Sequence, residues 1–130
     1  MDGILLFAHG ARDPAWAQPF QKVEAGLRAA RPDLEVRLAY LEFMAPTLTE
    51  AATQLVDSGC RQIHVVPLFL GTGGHVRRDL PTLLDQLRAR HGPLVSWALQ
   101  PPIGEAAGVI QAMVEICLAP NSNSSSTETP

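Results

Sequence analysis

His9, Glu42 and His75 are separated by two equal steps of thirty-three residues. Two imidazoles and a carboxylate form a donor set for a divalent transition metal, provided that the fold brings them together. The same groups can handle protons, because an imidazole titrates near neutral pH and a carboxylate can offset positive charge beside it. Arginines stand close by, Arg12 after His9, and Arg77 with Arg78 after His75. Their forked guanidinium groups suit carboxylates. Gly71-Thr72-Gly73-Gly74 leads directly into His75. It has no Lys-Ser/Thr as a P-loop would, and it matches a dinucleotide fingerprint only weakly. Gly73 and Gly74 more simply let the backbone approach a large flat ligand, or let His75 swing inward.

Each member of the trio also has a plain reading. A histidine at a strand end can bond a loop carbonyl, Glu42 can be a solvated carboxylate or cap the helix after Pro46, and His75 can belong to a basic anion-binding loop. Joint placement on three successive strand ends is what favours a common site. His64 falls near the start of a strand, at the opposite rim, and His91 falls in a last helical turn. Both read as structural. Position 11, beside His9-Gly10, is alanine, so a Ser-His-Asp or Cys-His hydrolase has no nucleophile there.

The elements that must position these residues alternate along the chain. Residues 3–8 (Gly-Ile-Leu-Leu-Phe-Ala) read as a buried strand. Asp13-Pro14 then supplies an N-cap and a proline at the first helical position. Trp16, Phe20, Val23 and Leu27 form an amphipathic stripe that ends before Pro32. Residues 34–43 read as a second strand with Val36, Leu38 and Tyr40 on one face. Pro46-Thr47 opens a helix carrying Leu48, Ala51, Ala52, Leu55 and Val56, and Gly59 is its stop. Residues 62–69 form a third strand, rich in Val and Ile as a buried parallel strand is. A helix beginning at Asp79 or just before it carries Leu80, Leu83, Leu84 and Leu87, and His91-Gly92-Pro93 closes it. Residues 94–99 give a fourth strand, Gln100-Pro101-Pro102 a break, and residues 105–118 a last helix with Val109, Ile110, Met113 and Cys117 inward.

This βαβαβαβα order predicts a three-layer α/β/α sandwich with a four-stranded parallel sheet. In the flavodoxin-like order 2-1-3-4, ligands bind beyond the carboxyl ends of the strands. His9, Glu42 and His75 would then stand on neighbouring strand ends, each about 5 Å from the next. Helix starts near Asp13, Pro46 and Asp79 add positive dipole ends to that rim.

Composition bounds the rest. At 130 residues with 46% hydrophobic and 18% charged residues, the chain fits one domain over residues 1–118, followed by a disordered polar tail over 119–130. No apolar run approaches the ~20 residues of a spanning helix, and Met1-Asp2-Gly3 lacks the basic region of a secretory signal. Cytoplasmic residence without membrane attachment is expected. Net charge −3 and pI ≈ 5.7 argue against generic nucleic-acid binding. Cys60 and Cys117 are too few for a disulfide framework and read as reduced packing residues.

Three blocks carry a family resemblance: Leu6-Phe7-Ala8-His9-Gly10-Ala11-Arg12-Asp13-Pro14; Ala39-Tyr40-Leu41-Glu42 with Pro46; and Val66-Pro67-Leu68-Phe69-Leu70 leading through Gly74-His75 to Asp79-Leu80-Pro81. Over residues 2–118 the chain resembles the CbiX-type sirohydrochlorin chelatases, in their short, single-domain form. The resemblance implies ATP-independent insertion of Co2+, Ni2+ or Fe2+ into sirohydrochlorin, with no organic cofactor. It places the motif histidines at His9 and His75 and the motif glutamate at Glu42. Many members carry serine where this chain has Ala11. For such a reaction His9 and His75 would be metal ligands and proton acceptors, with Glu42 assisting. Gly10, Arg12, Leu70, Gly73, Gly74, Arg77 and Arg78 would contact the macrocycle, and Leu68, Phe69 and Leu70 would give it an apolar wall. Longer relatives carry two such domains in tandem, so a homodimer is expected here. A non-catalytic metal or tetrapyrrole carrier is the alternative, and a flavodoxin-like regulatory domain a third reading.

Overall fold

The structure, a computed structural model, describes residues 2–71 and 73–119, with the side chain of His75 outside that description. The elements run β1 (Asp2–Ala8), a 3-10 turn (Pro14–Ala17), α1 (Gln18–Ala30), β2 (Glu35–Tyr40), α2 (Leu48–Asp57), β3 (Gln62–Pro67), α3 (Gly74–His91), β4 (Ser96–Leu99), a second 3-10 turn (Ile103–Glu105) and α4 (Ala107–Leu118). The sheet order is β2-β1-β3-β4 and every pairing is parallel. The expected order 2-1-3-4 is therefore the observed one. The polar tail predicted for 119–130 lies, from Pro120 onward, outside the described residues.

Strand β1 sits between two neighbours and is buried on both faces. Leu5 and Phe7 pack with Ile63, Val65 and Trp97 under α2 and α3. Leu6 and Ala8 pack with Val36, Leu38 and Tyr40 under Trp16, Phe20 and Leu27 on the α1 side. Each fully buried leucine or phenylalanine contributes roughly 1.5–3 kcal/mol, so alternation along β1 drives helices onto both faces. Local signals agree with this packing. The Asp13 carboxylate accepts the Ala15 N–H at 2.9 Å, with Pro14 at the first position of the turn. A reciprocal capping box starts α2: Thr47 Oγ1 accepts the Glu50 N–H at 3.2 Å, and Glu50 accepts the Thr47 N–H at 2.8 Å. That box, and not Glu42, caps the helix after Pro46.

Three expectations are corrected. Helix α3 begins at Gly74, five residues before Asp79, so the backbone of His75 is helical and not part of a loop. Glycines signal a loop in a sequence, yet Gly73 has the extended φ −63°, ψ 152° of an N-cap residue and the helix starts directly after it. Pro81 lies inside α3, where it forfeits one backbone bond. Buried Leu80, Leu84 and Leu87 hold the helix through it. Strand β2 stops at Tyr40, so Glu42 lies two residues beyond the strand and does not close it. Helix α4 does not turn Val109, Ile110, Met113 and Cys117 inward. It has no buried residue, Cys117 is exposed, and Ile110 and Met113 remain 48% and 38% exposed. The chain leaves β4 through Pro101-Pro102, and α4 follows the Ile103–Glu105 turn without returning over the sheet.

Candidate active site

The β1–β2 ladder continues past the formal ends of both strands. Leu41 N–H donates to the Ala8 carbonyl at 2.9 Å, and Glu42 N–H donates to the His9 carbonyl at 3.1 Å. His9 and Glu42 are thus zipped together by the backbone before their side chains interact. Gly10 ends the zip. Its φ is +93°, and a Cβ there would overlap the Glu42 carbonyl oxygen, so only glycine lets the two chains lie this close. The side chains then meet, with His9 Nε2 3.7 Å from Glu42 Oε2. Each is about half exposed. Phe69, buried below, meets the His9 ring edge-on at 5.7 Å and fixes its lean.

That separation suits metal chemistry. Two donors about 2.1 Å from one ion stand roughly 3–3.5 Å apart, so 3.7 Å needs only slight closure. The third member of the trio reaches the same rim by its backbone, as the second residue of α3, eight residues past the end of β3. Among the described residues no three His, Cys, Asp or Glu side chains form a complete metal site.

His9 stands between two clefts. One, of ≈ 620 Å³, is mostly apolar, and its wall includes Trp16, Phe20, Leu68, Phe69, Leu70 and Ile103. The expected wall of Leu68, Phe69 and Leu70 is there, with Leu70 66% exposed at the mouth. The other cleft, of ≈ 300 Å³, places Glu42 with Asp79, Val76 and Leu83. Asp79 and Ile103 were not legible as site residues. Asp79 reads as a helix start, and Ile103 arrives from beyond β4. The one available signal for Asp79 was its position four residues after His75, which puts both on one face of a helix.

The arginines divide. Arg12 lies 4.7 Å over the Phe43 ring, a cation–π contact that holds it near the His9–Glu42 rim. Phe43 is itself unusual, with φ 67° and 57% exposure. Arg77 pairs with Glu105 at 2.8 Å. Arg78 is exposed on the first turns of α3, and Gly73 and Gly74 are exposed where that helix starts. The remaining histidines stay outside, as expected. His64 Nδ1 stands 3.5 Å from Gln100 Nε2. His91 packs on the Trp97 ring at 5.6 Å, where burial and then Arg90 push its pKa down.

The CbiX family model matches residues 3–117, nearly all of the described chain. The chain belongs to the CbiX family. Relatives within reach of direct comparison include a sirohydrochlorin cobaltochelatase of Saccharolobus solfataricus, 35% identical over 80% of this chain and 84% of that one. A sirohydrochlorin cobaltochelatase of Sulfurisphaera tokodaii is 34% identical, covering 89% and 88%. Among solved structures, the CbiX protein of Marinobacter aquaeolei VT8 superposes with a TM-score of 0.82 at 30% identity, covering 95% of this chain and 99% of that one. The sirohydrochlorin chelatase SirB of Bacillus subtilis subspecies spizizenii, in complex with cobalt, superposes at 0.76 and 27% identity, covering 90% of this chain and 50% of SirB. The CbiX fold is thus the fold described above.

Proposed function

We propose that this protein inserts a divalent metal ion into sirohydrochlorin, and that His9, Glu42 and His75 carry the transfer. The observation behind this reading is the His9–Glu42 pair at 3.7 Å, half exposed at the junction of an apolar cleft and an acidic one. The macrocycle presents a flat apolar ring edged by carboxylates. The cleft lined by Trp16, Phe20 and Leu68–Leu70 suits the ring, while Arg12, Arg77 and Arg78 suit the carboxylates. Gly10, Gly73 and Gly74 leave room for it to lie against the backbone.

Metallation exchanges a dication for the two inner pyrrole protons. His9, as neutral imidazole, can hold the ion through Nε2 and then accept a proton once the ion has moved to the ring. Glu42 keeps the local charge balanced while the ion is held, and His75 completes the donor set. His75 would take the second pyrrole proton in the same way, so that both protons and the metal have named carriers and no nucleotide is needed. Co2+, Ni2+ and Fe2+ all accept nitrogen–oxygen donors. The cobaltochelatase names of the relatives, and SirB solved with cobalt and with Fe3+, favour cobalt or iron.

A homodimer belongs to the same reading. The SirB match covers half of that chain, so two copies of this domain would make a comparable cleft. The uncovered apolar face of α4, with Ile116 68% and Leu118 62% exposed, supplies surface for a second copy.

The test is anaerobic absorbance of sirohydrochlorin with each metal, at substrate well above enzyme. Multiple turnovers above the uncatalysed rate are expected, and His9→Ala and His75→Ala should each abolish the acceleration. Stoichiometric binding without turnover would instead make the protein a carrier. Full activity in both variants would remove the trio from the chemistry.

A further inference from the structure

The chain between Leu70 and Arg77 links the apolar wall of the cleft to the first turn of α3 and carries His75. A turn from beyond β4, far away in sequence, grips both ends of it. Gly104 N–H donates to the Phe69 carbonyl at 2.9 Å. Gly104 also lies so close to the Leu70 backbone that an added Cβ would overlap the Leu70 carbonyl oxygen and its Cα. One residue on, Glu105 holds Arg77 at 2.8 Å.

The turn is well anchored for such a role. Gln100 N–H is bonded to the Val65 carbonyl at 2.9 Å, which ties its root to β3. Pro101-Pro102 then leads in with restricted φ. Glu105 N–H closes on the Pro102 carbonyl at 2.9 Å, and Ala106 N–H on the Ile103 carbonyl at 3.1 Å. Ile103 lines the same cleft as His9, Leu70 and Gly71, so the turn meets the cleft through an apolar side chain while Glu105 faces Arg77.

We propose that the Ile103–Glu105 turn is a brace, and that Gly104 and Glu105 are positioning residues for the segment that presents His75 and Arg77. The proposal rests on the chelatase reading above. Gly104 acts by shape: its missing side chain lets the turn seat against Leu70 and sets where the chain departs for α3. Glu105 acts through Arg77. Their ion pair is half exposed, with side-chain exposures of 61% and 45%. Such pairs are weak, so a substrate carboxylate can replace Glu105 once the macrocycle arrives. Until then the pair keeps the guanidinium at the rim.

Two variants and two readouts test this. In Gly104→Ala, amide hydrogen exchange over Arg77–Leu80, the first hydrogen-bonded amides of α3, should speed up while the sheet amides keep their protection. The kcat for metal insertion should fall by roughly tenfold or more, since displacement of about 1 Å can cost ~10²-fold. In Glu105→Gln the same amides should exchange faster, and KM for the tetrapyrrole should rise severalfold with little change in kcat. Gly26→Ala, where a Cβ meets nothing within 4 Å, is the control and should match the parent protein. Uniform acceleration across the sheet in Gly104→Ala, or unchanged exchange at Arg77–Leu80 in Glu105→Gln, overturns the brace. A parent protein without chelatase activity would sink the functional reading, while the exchange data would still decide the brace.

Discussion

Gly10→Ala should separate His9 from Glu42 without removing either. A methyl at residue 10 meets the Glu42 carbonyl oxygen, with the Glu42 carbonyl carbon at 3.0 Å and its nitrogen at 3.3 Å. All three are backbone atoms and cannot rotate away. The backbone must also hold alanine at φ +93°, a conformation costing roughly 1–2 kcal/mol for an L-residue. Relieving the overlap adds about 1–3 kcal/mol, as overpacking does elsewhere. The total, about 2–5 kcal/mol, falls below the 5–15 kcal/mol typical of a domain, so the protein should stay folded but melt earlier. The easiest relief opens the Glu42 N–H bond to the His9 carbonyl and pushes Glu42 outward by about 1 Å. Misplacement on that scale can cost ~10²-fold in rate. Urea unfolding gives the stability change, and anaerobic metal insertion gives the rate. A variant that loses stability but keeps a parental rate would show that the close backbone approach does not govern the chemistry. One that loses neither would refute the steric argument altogether.

Two further outcomes follow from other parts of the molecule. Sedimentation at micromolar concentration should show a dimer, and Ile116→Glu with Leu118→Glu should shift it to monomer; a parent protein that is monomeric throughout would remove α4 as an interface. Burial lowers the pKa of His91, so the unfolded chain binds that proton more readily and stability must fall as pH drops through the ordinary histidine range near 6.5. Below the lowered folded-state value the loss should level off. His91→Asn should flatten that part of the urea-midpoint profile, and an unchanged slope between pH 7 and 5 would exclude His91 as its source.

Much of the site was legible because strand ends are predictable from short apolar runs. Ile4–Ala8 and Val36–Tyr40 mark β1 and β2, and a parallel pair in the order 2-1-3-4 must bring His9 and Glu42 to adjacent ends. The α3 start was not legible, since glycine carries opposite meanings in a loop and at an N-cap. The outward path of α4 was also hidden: its apolar pattern states that a face needs covering, but not by what. Arg77 resembled a free rim cation, yet its partner Glu105 lies 28 residues away.

The sequence by itself determined the alternating elements, through hydrophobic periodicity, and the motif blocks by which the chain resembles its family. The order 2-1-3-4 came by analogy with flavodoxin-like folds, and the donor chemistry of His9, Glu42 and His75 from their side-chain types. Only the tertiary structure decided the 3.7 Å approach of His9 to Glu42, the presence of Asp79 in their cleft and the grip of Gly104 on Leu70. These depend on where backbones pass in space after the strands end. Local preference weakens there, and packing between distant segments sets the distances.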